Sequence, residues 1–260
     1  MSHELETRTG SPQFAPEQVR SGETLSNLIH KIGHEIGNPL TAIISLATIV
    51  ERFNDESAAK DLTGTLNKIT SYSASIIDEA WKISALNERL VMLLSQKPGN
   101  CSPCNVGETI QRAVKKMRSR GRAPDFDVLV SQIGEVPATA FIDSEQLNIL
   151  LQELFQNAIT AAGNRDDDQP LRILVKGGKE STYIALMSDS SQRHPLELST
   201  LFDPFVTTWS EKKRLGLGLT VSWAIVSRFG GTMQLIEQPQ QSGYSFTVAI
   251  TLPAAAPASA

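Results

Sequence analysis

Apolar residues recur at steps of three and four over residues 21–53, the spacing of one face of an α-helix. They are Leu25, Leu28, Ile29, Ile32, Ile36, Leu40, Ile43, Ala47 and Val50. A second segment ending near residue 95 repeats these steps as a heptad seam with two polar positions. Its members are Leu62, Leu66, Ile69, Ser73, Ile76, Ala80, Ile83, Asn87, Leu90 and Leu94. Two such helices cannot bury both stripes against each other, so residues 21–95 predict a helical hairpin that dimerises into a four-helix bundle.

The rest of the chain mixes helical and strand patterns. Residues 96–105 contain Pro and Gly and read as a linker, and residues 106–253 as a second domain. The pattern predicts helices over 106–117, 144–162 and 219–229, and strands over 126–130, 171–175, 182–187, 232–237 and 244–252. Without regular βαβ alternation, these elements predict an α+β layer of helices on one sheet. Residues 1–20 and 254–260 lack such patterns and are predicted to be disordered.

Composition narrows the class of protein. The chain is 40% hydrophobic and 20% charged with a net charge of −4, which is ordinary for a globular protein and gives no reason to expect nucleic acid. The sequence predicts neither a transmembrane segment nor a signal peptide, because its apolar runs are too short and its start is polar. We therefore expect a cytoplasmic protein that receives any external signal through a separate sensor protein.

Two cysteines, Cys101 and Cys104, form a CxxC pair. Such a pair can be a redox couple or half of a zinc site. No second pair is present, and a redox couple would be expected at a strand-to-helix turn. Their predicted place in the linker therefore favours an inert pair.

His34 lies roughly 170° around the first helix from the middle of its apolar stripe, and so is predicted to face solvent or a partner. Asn38 lies on the same side, and Pro39 should remove one backbone hydrogen bond and kink the helix just after His34. Glu35 lies between the two faces, close enough to favour positive charge on the imidazole. A surface His on a helix is the plain alternative for these residues taken alone.

Three features of the second domain carry candidate chemistry. Glu153 and Asn157 are one helical turn apart, and a carboxylate with an amide can hold a hard cation and the phosphate oxygens it bridges. A glycine-containing turn opens the last helix, where backbone N–H groups can bind phosphate. Its residues are Gly216, Leu217, Gly218 and Leu219. A basic loop before it is a natural lid over a triphosphate. Its residues are Lys212, Lys213 and Arg214.

These residues occur in motifs that resemble those of bacterial two-component sensor histidine kinases. Residues 34–40 resemble the H-box of the dimerisation and phosphoacceptor domain. Residues 153–158 resemble the N-box, residues 201–205 the F-box and residues 216–219 the G2-box, in the order found in that family. The resemblance covers about residues 21–252 and implies an ATP-binding α+β sandwich of the GHKL or Bergerat type after the helical hairpin.

The resemblance also implies roles for single residues. His34 would accept the phosphoryl group, with Glu35 as the base that activates it. Asn38 would orient water when the phosphorylated partner is hydrolysed. Asn157 and Glu153 would hold Mg²⁺ beside ATP. The implied partners are a second copy of the chain and the receiver domain of a response regulator, whose Asp takes the phosphoryl group.

One motif departs from the family. Asp189 stands at the position of the G1-box aspartate and can accept a hydrogen bond from the adenine amino group. The residues that follow, Ser190 and Ser191, do not supply the spaced glycines of that box. A second hypothesis is therefore a degenerate kinase that acts as a dimeric binding or phosphatase module. A third, another ATPase of the same superfamily, gives no reason for the His34 helix.

Overall fold

The computed structural model describes residues 7–13, 22–53, 62–94, 99–119, 128–134, 137–162, 171–188, 196–207, 216–237 and 244–256. Its contacts divide the chain into two compact units. The helical unit is Glu17–Leu94, and the α/β unit is Ser95–Ala260 together with Met1–Pro16. Among the described helices, none combines the length and apolar character needed to cross a membrane.

The helical unit contains two long helices that pack on each other, α1 (Gly22–Arg52) and α2 (Leu62–Leu94). Both helices agree with the stepping of three and four in the sequence. The Phe53 ring, just after α1, stacks on Tyr72 of α2 with 6.0 Å between ring centroids. Pro39 is buried inside α1, and the helix continues through it. The kink expected there stays a prediction.

One hairpin leaves much apolar surface uncovered. Ile29 is 61% exposed and Leu40 46% exposed, although both belong to the predicted stripe of α1. Further apolar side chains of these helices are also exposed, namely Ile44, Ile49, Leu66, Ile77, Trp81, Val91 and Leu94. Apolar surface of this extent on two packed helices is typical of a protein interface.

The α/β unit is built on a six-stranded sheet of order β1-β7-β8-β6-β5-β3. Only the β3–β5 pair is parallel among the described strand pairs of this sheet. Its strands are β1 (Arg8–Gly10), β3 (Val128–Ile133), β5 (Leu171–Gly177), β6 (Ser181–Ser188), β7 (Thr232–Glu237) and β8 (Phe246–Pro253). A second, antiparallel sheet pairs β2 (Ser102–Asn105) with β4 (Thr139–Ile142).

Three helices pack on this framework, α3 (Val106–Ser119), α4 (Ser144–Ala162) and α5 (Gly218–Arg228). α4 contacts α3, α5 and β6, while α5 also contacts β7 and β8. β5 alternates buried Leu171, Ile173 and Val175 with positions that are exposed or half-buried, as expected for a strand with one covered face. The predicted α+β layer of helices on a sheet is confirmed.

Two predicted loop regions contain structure. The prediction of disorder over residues 1–20 is wrong for β1, and the predicted linker is wrong for β2, where residues 102–105 pair with β4. Cys104 is buried on β2, its Sγ lies 3.2 Å from the Ile142 carbonyl oxygen, and α3 follows immediately. The predicted placement in a linker is therefore wrong for Cys104, while Cys101 precedes β2. The predicted disordered tail begins with Ala254, which is buried and donates its N–H to the Glu180 carbonyl.

The strand bounds also shift. The predicted strand 126–130 is observed as β3, from Val128 to Ile133, and residues 126 and 127 lie outside the described chain. β4 and a short 3₁₀ helix, Leu198–Phe202, were not predicted. Both are too short to show a period in the sequence.

Candidate functional site

His34 lies on the exposed face of α1, together with Glu35 and Asn38. The predicted orientation of this face toward solvent is confirmed. A Cβ built on Gly33 or Gly37 would have no heavy atom of another residue within 4 Å, helix backbone excepted. The two glycines next to His34 thus keep the surface around the imidazole low. A bulky phosphate donor can approach the ring.

His30, which was not predicted as a site residue, contacts His34. The two rings lie 4.7 Å apart between centroids with an interplanar angle of 67°, an edge-to-face arrangement. Both side chains are exposed. The spacing of four residues between His30 and His34 indicates this contact in the sequence, because residues i and i+4 of a helix lie one above the other.

Glu153 and Asn157 on α4 face the first turn of α5. A Cβ built on Gly218 would lie 3.1 Å from Glu153 Oε2 and 3.1 Å from Asn157 Nδ2. The structure therefore brings the carboxylate and the amide of α4 next to the N-terminus of α5, which lies about 60 residues further along the chain. Only a residue without a side chain leaves this space open. Gly218 has no positive φ, so its role is space and not backbone freedom.

This arrangement fits a divalent cation with a phosphate. Carboxylate and amide oxygens are ligands that Mg²⁺ accepts, usually with several waters and phosphate oxygens completing the octahedron. No side chain of the N-cap residue Leu217 caps α5, and the N–H groups and dipole at a helix start favour an anion at the same place. Glu153 and Asn157 are both half-buried, so they border the site while remaining accessible to solvent.

Gly216 closes the turn ahead of α5 against residues 205 and 206. Its φ is +63°, and a Cβ there would lie 2.6 Å from the Phe205 carbonyl carbon and from the Val206 oxygen. Its carbonyl accepts the Phe205 N–H at 2.9 Å. Phe205 itself has a φ of 65°, which is uncommon for a bulky residue. Both backbones are thus shaped by their close approach.

A buried hydrogen bond adds to this connection. Thr220 Oγ1 donates to the Phe202 carbonyl at 2.8 Å, which ties α5 to the 3₁₀ helix. The motif at residues 201–205 is therefore joined to Gly216 and, through Thr220, to the first turn of α5. The sequence order of the motifs gave no indication of Thr220, whose hydroxyl looks like an ordinary helix position.

Asp203 follows the 3₁₀ helix, and burial raises the pKa of its carboxyl above the ordinary 3.8. Between 3.8 and the raised pKa the folded protein binds more protons than the unfolded chain, so the free energy of unfolding falls as pH rises through that window. We expect Asp203→Asn to raise the melting temperature at pH 7, by an amount that shrinks as the pH approaches 4. Calorimetry at the two pH values tests this, and an equal change at both would contradict it.

Four predicted site residues lie outside the described residues: Asp189, Lys212, Lys213 and Arg214. Of the glycine turn, Leu217 is 1% exposed and Leu219 half-buried. Leu217 thus packs in the core beside the turn. Its assignment to nucleotide binding, like the other assigned roles, stays a prediction.

Part of the α/β unit matches a known family of ATPases. Residues 142–256 match the family described as histidine kinase-, DNA gyrase B-, and HSP90-like ATPase. The matched residues include Glu153, Asn157, Gly216 and Gly218, so the acid, the amide and the turn lie inside the region similar to these ATPases. The predicted GHKL-type sandwich is confirmed, and ATP is the nucleotide that the family indicates.

The curated relatives that this chain matches include a sensory histidine kinase. The chain is 26% identical over 254 residues to the sensory histidine kinase/phosphatase NtrB of Rhizobium leguminosarum bv. phaseoli. The alignment covers 92% of this chain and 61% of the relative, so the chain spans about six tenths of that protein. The predicted resemblance to sensor histidine kinases is confirmed.

Two solved structures agree in fold. Histidine kinase AdeS of Acinetobacter baumannii matches with a TM-score of 0.54 and 18% identity over 86% of this chain and 98% of that chain. Histidine kinase ThkA, solved in complex with response regulator protein TrrA, matches with a TM-score of 0.59 and 20% identity over 92% of this chain and 65% of that chain. At such identities these structures support the fold alone.

Proposed function

We propose that the chain is an ATP-dependent protein histidine kinase that phosphorylates its own His34. The observation that carries the proposal is the convergence of Glu153 and Asn157 on Gly218 at the start of α5. That convergence provides a place for Mg²⁺ and the phosphates within an ATPase-family domain. The exposed His34, on a face kept open by two glycines, provides a nucleophile.

The chemistry is an in-line phosphoryl transfer. A neutral imidazole nitrogen of His34 attacks the γ-phosphorus, an N–P bond forms, and the bond from phosphorus to the bridging oxygen of ADP breaks. The proton on the other ring nitrogen passes to Glu35, so the phosphorylated ring is left neutral instead of as a positively charged imidazolium. Bound Mg²⁺ supplies positive charge that offsets the charge developing on the phosphate oxygens. Asn157 and Glu153 would hold it.

The proposed acceptor of the phosphoryl group is an Asp on a response-regulator receiver domain. Support comes from the relatives, since NtrB is named a kinase/phosphatase and ThkA was solved with a response regulator. Asn38, exposed one turn beyond His34, would orient water in the reverse, phosphatase reaction. We propose that a separate sensor protein supplies the signal to a cytoplasmic kinase.

We propose further that the helical units of two copies form a four-helix bundle. Support comes from the exposed apolar side chains of α1 and α2, with Ile77 and Trp81 one turn apart on α2. Ile77→Lys is expected to raise the dimer dissociation constant at least about tenfold, because a buried unpaired charge costs more than about 1.4 kcal/mol. Light scattering over a dilution series measures this. Asp78→Lys, at an exposed neighbouring position, is the control, and equal dissociation of both variants would contradict the assignment.

A second candidate function is a degenerate kinase that retains binding or phosphatase activity. The observation in its favour is the sequence after Asp189, where Ser190 and Ser191 replace the glycines of the family motif. Without these glycines the loop against the adenine would change shape. The intact geometry around Gly218 favours the kinase.

The test is incubation of the purified chain with γ-labelled ATP and Mg²⁺, followed by acid treatment of the labelled protein. Acid-labile label supports the histidine kinase. Bound ATP without label would favour the degenerate module, and loss of label from a phosphorylated receiver would then identify the phosphatase. No ATP binding would overturn both nucleotide-dependent functions.

A further inference from the structure

We propose that the N-terminal strand β1 is a positioning strap for the nucleotide site. By adding to the sheet and packing on the 3₁₀ helix, it holds residues 205 and 206 against Gly216 in the arrangement that leaves room at Gly218. This inference rests on the proposed nucleotide site and assigns to Arg8 and Gly10 a part in Mg·ATP binding that the motifs do not include.

The strap is anchored at its first residue by charge. Arg8 pairs in register with Glu237 of β7, although the two residues are 229 positions apart. Arg8 Nη1 lies 2.9 Å from Glu237 Oε2, and Nη2 donates to the Leu196 carbonyl at 2.8 Å. Glu237 is only 5% exposed, and a buried carboxylate requires compensating partners. One guanidinium thus joins the sheet edge to the segment that enters the 3₁₀ helix.

The last residue of the strap lies flush against the 3₁₀ helix. Gly10 is buried, and a Cβ there would lie 2.6 Å from the Leu198 carbonyl carbon and 2.7 Å from the Ser199 nitrogen. Backbone atoms cannot yield as a flexible side chain can, so any side chain at position 10 must displace either β1 or the 3₁₀ helix. Thr9, between the two anchors, is exposed and carries no such constraint.

From the 3₁₀ helix, contacts continue to the nucleotide site. Phe202, its last residue, accepts the hydrogen bond of Thr220, and Phe205 donates to Gly216. Gly218 follows, with Glu153 and Asn157 around its empty side-chain position. Each step is a buried or close backbone contact, so a displaced 3₁₀ helix moves the turn that shapes the site. Contiguous contacts of this kind can carry coupling between two sites.

The place of the strap along the chain gives it a regulatory use. Residues 11–21 connect β1 to α1, the helix that carries His34. In the sequence, the α/β unit therefore includes segments both before and after the helical unit. A signal that reaches α1 from its N-terminal side passes the strap first. Separation of β1 from β7 would then weaken nucleotide binding without acting through α1 and α2.

The test compares Gly10→Val with Thr9→Val in the full chain. We expect Gly10→Val to raise the dissociation constant of Mg·ATP at least about fivefold, the lower end of common coupling strengths. Thr9→Val should remain within about twofold of the unchanged protein. Hydrogen exchange should rise at residues 232–237 and 198–202 in Gly10→Val only. Arg8→Gln should resemble Gly10→Val, and Arg8→Lys should partly restore affinity.

The outcomes separate the strap from the proposed function. Faster hydrogen exchange at residues 232–237 in Gly10→Val with unchanged Mg·ATP affinity would contradict the proposal that β1 positions the nucleotide site. If Gly10→Val leaves hydrogen exchange unchanged, residues 1–13 are deleted to remove the strand, and the Mg·ATP affinity is measured again. An unchanged affinity after this deletion would also contradict the proposal. If the unchanged protein does not bind Mg·ATP, the proposed function fails. In that case, unaltered hydrogen exchange at residues 198–202 after the deletion of residues 1–13 would also contradict the proposal that β1 holds the 3₁₀ helix in place.

Discussion

His34→Ala is expected to abolish acid-labile phosphorylation by γ-labelled ATP while leaving the affinity for Mg·ATP unchanged. Alanine removes the only nitrogen nucleophile proposed for the transfer. Glu153, Asn157 and Gly218, which we propose bind Mg·ATP, belong to the other structural unit, so we expect their geometry not to depend on position 34. The measurements are phosphorimaging after gel electrophoresis at neutral pH and a binding titration with Mg·ATP.

The matched control is His30→Ala. His30 lies on the same exposed face of the same helix and contacts the His34 ring, so it shares every general property of a surface histidine. An aromatic pair contributes about 0.5–1.5 kcal/mol, so losing this contact should reduce the labelling rate by no more than about tenfold. Label retained in His34→Ala and lost in His30→Ala would move the acceptor to His30. Label lost in neither would exclude both.

Periodic segments explain why much of the fold was predictable. α4 was predicted over residues 144–162 and is observed as Ser144–Ala162, because its apolar stripe repeats over five turns. A side-chain cap at Asp143 reinforces the start, with Oδ1 accepting the N–H groups of Glu145 and Gln146. β7 was likewise predicted over its observed bounds, Thr232–Glu237. Local signals determine such elements.

β1 could not be predicted, because nothing local specifies it. Three residues, Arg8, Thr9 and Gly10, are too few to show alternation, and their partner strand lies at the far end of the chain. The ion pair with Glu237 and the close packing of Gly10 exist only in the folded unit. Disorder was therefore the natural expectation from a polar segment.

The candidate site was predictable in its parts and not in its assembly. Spacing suggested that Glu153 and Asn157 act together, and the glycine turn suggested phosphate binding. That the two features meet at Gly218 requires α4 and α5 to pack side by side, which no pattern in either helix states. The motif order linked them only through resemblance. His30 and Thr220 were not predicted even as parts of the site, because each is an ordinary residue type for its position in a helix.

Gly218→Val is expected to raise the dissociation constant of Mg·ATP by at least about tenfold and to reduce labelling of His34 accordingly. The added side chain would occupy the space between Glu153 Oε2 and Asn157 Nδ2, each 3.1 Å from the first added carbon. Losing hydrogen bonds to a charged ligand costs about 1.5–3 kcal/mol, which corresponds to about ten- to a hundredfold in affinity. Gly218→Ala should have a smaller effect, because the two side-chain ends can move by a few tenths of an ångström.

Gly107→Val and Gly107→Ala are the matched controls for position 218. Gly107 lies in the first turn of α3 in the same unit, and its added Cβ would meet only Asn105 Oδ1, at an ordinary 3.4 Å. Replacing glycine in a helix raises its helix propensity by up to about 1 kcal/mol, so neither position should unfold the domain through its backbone. Thermal unfolding of all four variants checks that. Equal loss of Mg·ATP binding at both positions would show a general effect of helix starts, and unchanged binding in Gly218→Val would remove Glu153 and Asn157 from the nucleotide site.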